Sequence, residues 1–408
     1  MGKFNDKIDD FLELFRMKEE DGDAEVRNDL EAYKKRVQKK KRKRYLTVVG
    51  IVAIVVFGAL TMNQIMAQRT YNSYKVLEMS EQLDSSVLHY IELGNGVLRY
   101  SGDGVSFMDD SDKAVWNDSI QMTSPNIVCF DQMAAVYETK GTIVEVYNAD
   151  GKVGSVKTDH PILKTAISSK GGVAVILENG ENTLIDYYTS SGSLVASCST
   201  NMQNPGYPMD VTISENGLSM AVTYLVAENG KVSSYLALYN FGDAGKNKED
   251  NLLDGTRFDG LIVPKVQYLN DKTLLVYREK GFTLYNSGSL LEEIKNVTFE
   301  KEIVSSFDDG ELFGFVFLGD DHAFEMKVYD KAGNIKTESE FDLSYDKIKI
   351  SGDQIILHNS SQFAIIASNG VVRYSGNFEE GNILDIVKRG RNRYSIACSK
   401  GIARIEIK

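Results

Sequence analysis

From residue 87 to Lys408 the chain repeats one texture, and that repetition constrains its fold more than any other feature. Short runs rich in Val, Ile, Leu, Tyr and Phe are split by Gly, Asn and Asp at roughly ten-residue intervals, the pattern of strands joined by tight turns. The runs align in units of about 35–45 residues. One unit reads VLHYIEL, GVLRYS, GVSFMD, KAVWND over 87–118, and the next NIVCFD, MAAVYET, TIVEVYNADG, KVGSVKT over 126–158. Further units occupy 163–199, 265–296, 302–341 and 346–376, and the last, over 383–408, has only three runs. The fourth unit, over 209–241, has three runs followed by a polar excursion, GDAGKNKEDNLLDG. Tyr147–Gly151, Tyr188–Gly192 and Tyr329–Gly333 repeat a Tyr-x-x-x-Gly at the third turn, where glycine supplies the positive φ of a tight hairpin.

A four-stranded sheet repeated radially is a propeller blade. The expected fold is therefore all-β: an eight-bladed β-propeller, with seven blades as the alternative and a β-sandwich array behind both. The strand missing from the last unit is assigned to Tyr71–Met79 (YNSYKVLEM), which would close the ring and hide the edges of an open array.

The N-terminal part reads differently. Lys34–Arg36 and Lys39–Arg44 put nine basic residues into eleven positions, and Tyr45 to Met62 then carries no charge. Eighteen helical residues rise about 27 Å, close to the thickness of a bilayer's hydrocarbon core. The expected anchor helix spans 45–67, with Tyr45, Val48, Ile51, Ile54, Phe57 and Leu60 along it. The basic run Lys39, Lys40, Lys41, Arg42, Lys43 and Arg44 sets the orientation, with residues 1–44 cytoplasmic and 70–408 outside. The rival reading, a signal peptide cleaved after Ala67, fits poorly with a 44-residue leading region and so long an apolar stretch. Phe4, Ile8, Phe11, Leu12 and Phe15 share one helical face, with Asp6, Asp9, Asp10 and Glu13 largely opposite. That stripe is expected to meet a partner helix or a second copy, since an acidic polar face disfavours lipid, with a weakly structured tail of no specific role as the alternative.

Charge divides the same way. Residues 1–44 hold 14 basic and 11 acidic residues; of the totals 46 and 58 this leaves 32 and 47, a net −15 beyond residue 44. A part so acidic repels phosphate polymers, so neither nucleic acid nor teichoic-type anions are expected partners. Cys129, Cys198 and Cys398 are far apart in apolar runs and read as small buried hydrophobes rather than a disulfide framework.

The sequence carries no recognisable catalytic signature. His89, His160, His322 and His358 fall in four different units, and no Gly-x-Ser-x-Gly surrounds a serine. The acidic turns Asp109-Asp110-Ser111-Asp112, Asp320-Asp321 and Asn148-x-Asp150-Gly151 offer calcium only a partial loop, so metal binding stays open and solvated turns are the simpler account. Trp116 is the one tryptophan, which argues against the repeated tryptophan motifs of quinone-cofactor propellers, and no cofactor is expected.

The turns punctuated by Asp-Gly, the stretch ISENGLSMAV (213–222) and LALYNFGD (236–243) carry a resemblance. The first of them is similar to the turns of WD-repeat and quinoprotein-type propellers, though without the usual proline. The whole chain resembles an uncharacterised family of single-span Gram-positive envelope proteins with a basic run, one membrane helix and a propeller-like outer domain. The resemblance implies a fold and a location at the cell membrane, and no catalytic residues. The expected function is that of a non-enzymatic binding or scaffold module, with protein or wall-polymer partners outside. The alternative is a glycan hydrolase or lyase with carboxylates at the channel mouth; a third possibility is a sensor that acts through the Phe4–Phe15 stripe.

Overall fold

In a computed structural model, the strands gather into eight separate antiparallel sheets of four strands each. The structure describes residues 68–81, 88–202, 204–228 and 230–408, together with 33, 34, 37, 39, 45–47, 49, 50, 52 and 57, which are helical. Two compact units divide the chain, Met1–Gln68 and Arg69–Lys408. Seven sheets are consecutive meanders: 89–119, 125–157, 162–200, 207–258, 265–298, 303–341 and 347–377, blades 1 to 7. Blade 8 joins Ile383–Lys388, Arg393–Cys398 and Gly401–Ile407 to Tyr74–Glu81, so the chain forms the all-β, eight-bladed propeller rather than a seven-bladed one.

The closing strand begins three residues later than expected from the sequence. Tyr74 pairs with Ile407 and Glu81 with Gly401. Tyr71 is instead a buried plug: its N–H donates to Arg373 O at 2.7 Å, and its hydroxyl accepts from Asn392 Nδ2 at 2.8 Å. A second fastener ties blade 8 to blade 1. Asp112, at φ 55° in the third turn of blade 1, accepts from Arg389 at 2.6 Å, Arg404 at 2.7 Å and Ser395 at 2.8 Å. The acidic run read as a solvated turn thus holds one carboxylate turned inward onto two guanidinium groups, while Asp109 caps the turn through the N–H groups of Ser111 and Lys113.

Blade 4 departs from the sequence reading. Its outer strand, Leu252–Phe258 (LLDGTRF), starts inside the excursion that had no strand assigned, because Asp254 and Gly255 interrupt the apolar pattern. Its middle strands, Ser219–Glu228 and Lys231–Asn240, are ten residues each and pair without a break from Ser219–Asn240 to Glu228–Lys231.

The blades pack face to face through the alternate apolar residues of their strands, the period-2 burial that a strand imposes. Between blades 5 and 6, Phe282, Phe313, Phe315 and Tyr329 form a ring cluster with Phe282–Phe313 and Phe282–Tyr329 centroids both 4.9 Å apart. The third turns serve this packing too. Gly192 and Gly370 have φ of 85° and 84°, and each turn lies against the outer strand of the preceding blade. A Cβ on Gly370 would meet Glu338 O at 2.0 Å, and Gly370 O accepts from Ser339 Oγ at 2.7 Å. Gly370→Ala is therefore expected to cost about 2–4 kcal/mol, from backbone strain and overpacking together, measured by urea denaturation.

Candidate functional site

The first strand of each blade lies at the inner end of its sheet, and these strands carry lone charges inside otherwise apolar runs. From blade 3 to blade 8 the sign alternates, while blade 1 adds Glu92 and the first strand of blade 2 carries no charge. Lys164 of blade 3 meets Asp210 of blade 4 at 2.7 Å, and Lys265 of blade 5 pairs with Asp308 of blade 6. Lys347 and Lys349 of blade 7 hold Asp385 of blade 8 at 2.9 and 2.7 Å, and Lys349 also reaches Glu92 of blade 1 at 3.2 Å. Four lysines thus face four carboxylates across blade boundaries. A buried carboxylate is tolerable only with such a partner, so the belt follows from placing these residues on inner strands.

The pairs differ electrostatically. Burial pushes the Asp385 carboxyl upward, but the Lys349 and Lys347 charges outweigh it and hold the group below its ordinary value. Burial likewise depresses Lys349, and the Asp385 and Glu92 charges more than reverse this. Asp210 has one lysine instead of two, and there burial prevails over Lys164 and the Val266 N–H bond of 2.8 Å, raising the carboxyl. An acid whose value is raised on folding opposes folding at neutral pH. Asp210→Asn, which keeps an acceptor for the Val266 N–H, is expected to change unfolding free energy by less than about 1 kcal/mol at pH 7, read from denaturant midpoints.

The open surface lies elsewhere. A cleft of about 520 Å³ runs between the outer strands of blades 3 and 4. Cys198 and Ser199 form one wall; Tyr235, Tyr239, Leu252 and Arg257 form the other. Arg257 donates to Glu228 and Asp259, both at 2.8 Å, and so braces the blade 4 hairpin over the cleft. Burial raises the Cys198 thiol against the Tyr239 hydroxyl, so this sulfur is held protonated. A second cleft of about 260 Å³, lined among others by Leu163, Glu181 and Tyr207, flanks the same blade junction.

Of the residues singled out in the sequence, Tyr45 and Phe57 are helical and exposed, as is Lys39. Val48, Ile51, Ile54 and Leu60, Lys40 to Arg44, and Phe4, Ile8, Phe11, Leu12 and Phe15 lie outside the described residues. Among the described residues, no helix is long and apolar enough to cross a membrane. The three cysteines are unbridged on strands: Cys398 is buried, Cys129 and Cys198 half-buried. No cluster of three or more His, Cys, Asp or Glu suited to a metal occurs among the described residues. Asn148 caps its own turn through the N–H groups of Asp150 and Gly151. Neither the belt nor the cleft was found from the sequence. The belt's signal is there, as charges of alternating sign in LKTAI, MDVTI, KVQY, SSFD, KIKIS and LDIV, single in each run except KIKIS, which has two.

The profile of a family of unknown function, DUF5711, matches residues 67–407. No curated protein matches. Among solved structures, BamB from Moraxella catarrhalis is similar at 13% identity and a TM-score of 0.45, over 82% of this chain and 100% of that one. Sqt1 from Chaetomium thermophilum is similar at 10% identity and 0.47, over 84% and 97%. Hsv2 from Kluyveromyces lactis is similar at 8% identity and 0.47, over 72% and 98%.

Proposed function

The chain belongs to the DUF5711 family of unknown function, and from that premise we propose that it is a single-span membrane protein whose propeller works outside the membrane as a non-enzymatic binding module of the cell envelope. The basic run 34–44 followed by the uncharged stretch 45–62 supports the anchor and its orientation. The net charge of −15 beyond residue 44 suits a soluble part held off an anionic surface.

The observation that carries the binding reading is the contrast between belt and cleft. A glycosidase needs two carboxylates about 5–9 Å apart, one of them protonated and ready to donate. Here Asp210, Asp308 and Asp385 each hold a lysine of a neighbouring blade and Glu92 holds Lys349 of blade 7, while the larger of the two described clefts borders the elaborated blade 4. Loops and extensions on a rigid scaffold are where recognition usually resides.

The test is crosslinking in intact cells followed by capture, using the full chain and a chain lacking residues 1–33, with surface proteolysis alongside. The expected result is release of propeller fragments by external protease and recovery of envelope proteins, some of them lost with the tail. A propeller protected from external protease, or capture of wall glycan alone with release of cleaved glycan, would overturn the reading.

A further inference from the structure

We propose that the outer strand of blade 3, Leu194–Thr200, is a docking edge that takes an extended, basic segment of a partner protein as a fifth strand, seated along the cleft between blades 3 and 4. This deepens the binding-module reading and rests on it.

Every four-stranded blade leaves one row of backbone N–H and C=O groups unpaired on its outer strand, and such edges are normally blunted with charged side chains. Seven of the eight outer strands contain at least one charged residue, from Asp118 in blade 1 to Glu78 in blade 8, the one in blade 7 being the buried Arg373. Leu194–Thr200 (LVASCST) carries no charge at all, and it exposes Leu194 by 56% and Val195 by 48%. Among the described residues it is paired on one side only, with Asn182–Tyr188. The unguarded edge is also the one that borders the 520 Å³ cleft, through Cys198 and Ser199.

A strand added there lies about 4.8 Å outside the edge, and every second side chain of it points into the cleft. The charge in the cleft selects those side chains. Arg257 is engaged by Glu228 and Asp259, so the open side is governed by Glu249 and Asp250, both exposed. Lysine or arginine at alternate positions complements them, and the phenol ring of Tyr235 supplies a face for the cation's aliphatic stem.

The probe is a synthetic peptide of alternating lysine and valine, added to the full chain in detergent micelles. Hydrogen exchange reports the site and fluorescence anisotropy the affinity. Exchange is expected to slow at the amides of 194–200. The same peptide with alternate amides N-methylated keeps its charge but loses ladder hydrogen bonds, and should bind roughly tenfold more weakly or worse. Val195→Lys and Glu249→Lys, both at exposed positions, should each weaken binding by about tenfold, while Val153→Lys on the outer strand of blade 2 leaves it unchanged. Equal binding of the N-methylated peptide, or protection away from 194–200, overturns the proposal and reduces the contact to simple charge attraction. If the full chain captures envelope proteins and Val195→Lys captures the same ones, this edge is not the site although the binding-module reading stands. If the full chain captures none, that reading itself falls.

Discussion

Deleting Tyr74–Glu81 from the full chain will abolish its cooperative unfolding transition and make blade 8 the first segment lost to protease. The strand supplies the outermost ladder of blade 8 through seven register pairs from Tyr74–Ile407 to Glu81–Gly401. It also carries Glu78, which holds Arg404 at 3.2 Å, and Tyr74, whose hydroxyl donates to Glu380 at 2.7 Å. Without it Gly401–Ile407 becomes an open edge, and the apolar residues Tyr74 and Val76 no longer cover the core shared by blades 7 and 8. A ring closed by pairing distant parts of one chain depends on that seam, because opening it lets every blade boundary relax. The effect should be one of position rather than connectivity. Lys408 N donates to Ser73 O at 2.8 Å, so the strand's start lies beside the C-terminal residue. A permuted chain that begins at residue 88 and runs from Lys408 through a short turn into Ser73–Glu81 should recover the transition. If the deleted chain unfolds with an unchanged midpoint in urea, or if the permutant fails to recover it, the seam is not what holds the ring.

Asp385→Ala is the second large effect, at about 3–5 kcal/mol, because it leaves Lys347 and Lys349, side by side on one strand, with Glu92 as the one carboxylate still paired to them at the junction of blades 7, 8 and 1. Asp385 is 1% exposed and Lys349 17%. Truncating one partner strands the other, whereas replacing the pair together need not. The double replacement Asp385→Leu with Lys349→Met should recover much of the loss, as buried ion pairs replaced by apolar groups of similar volume often do.

The pH dependence separates this pair from Asp210. Asp385 has its value lowered on folding, so its contribution is complete above the ordinary aspartate range and disappears as pH falls through the lowered folded value. Lys349 has its value raised, so its contribution is complete below the ordinary lysine range and disappears as pH rises through the raised folded value. The difference in stability between wild type and Asp385→Ala should therefore be flat from about pH 5 to 9 and shrink below about pH 4. Asp210 runs the other way, since its carboxyl is raised and protonation favours the fold. Denaturant titrations at several pH values read both. A difference for Asp385→Ala that rises steadily toward acid would contradict the paired assignment.

Much of the architecture could be read before any coordinates. The third turns of blades 2, 3 and 6 were legible because their glycines stand at positive φ, a demand local to four residues. Leu252–Phe258 was not, because its pairing with Ser234–Tyr239 is what makes a strand of a segment interrupted by Asp254 and Gly255. Asp112 looked like any acidic turn residue; only the return of blade 8 beside blade 1 brings Arg389 and Arg404 to it, 277 and 292 positions later in the chain.

The sequence alone thus determined the repeat, the strand texture, the turn chemistry and the need for a strand from the N-terminal side to complete the last blade. All of these depend on side-chain periods and backbone preferences within a few residues. Tertiary structure alone decided which lone charges meet across blades, which acidic turn faces inward, and which outer edge is left unguarded beside a cleft. Coulomb pairing, burial and edge exposure depend on distances between segments that local sequence does not encode, and only closing the ring sets those distances.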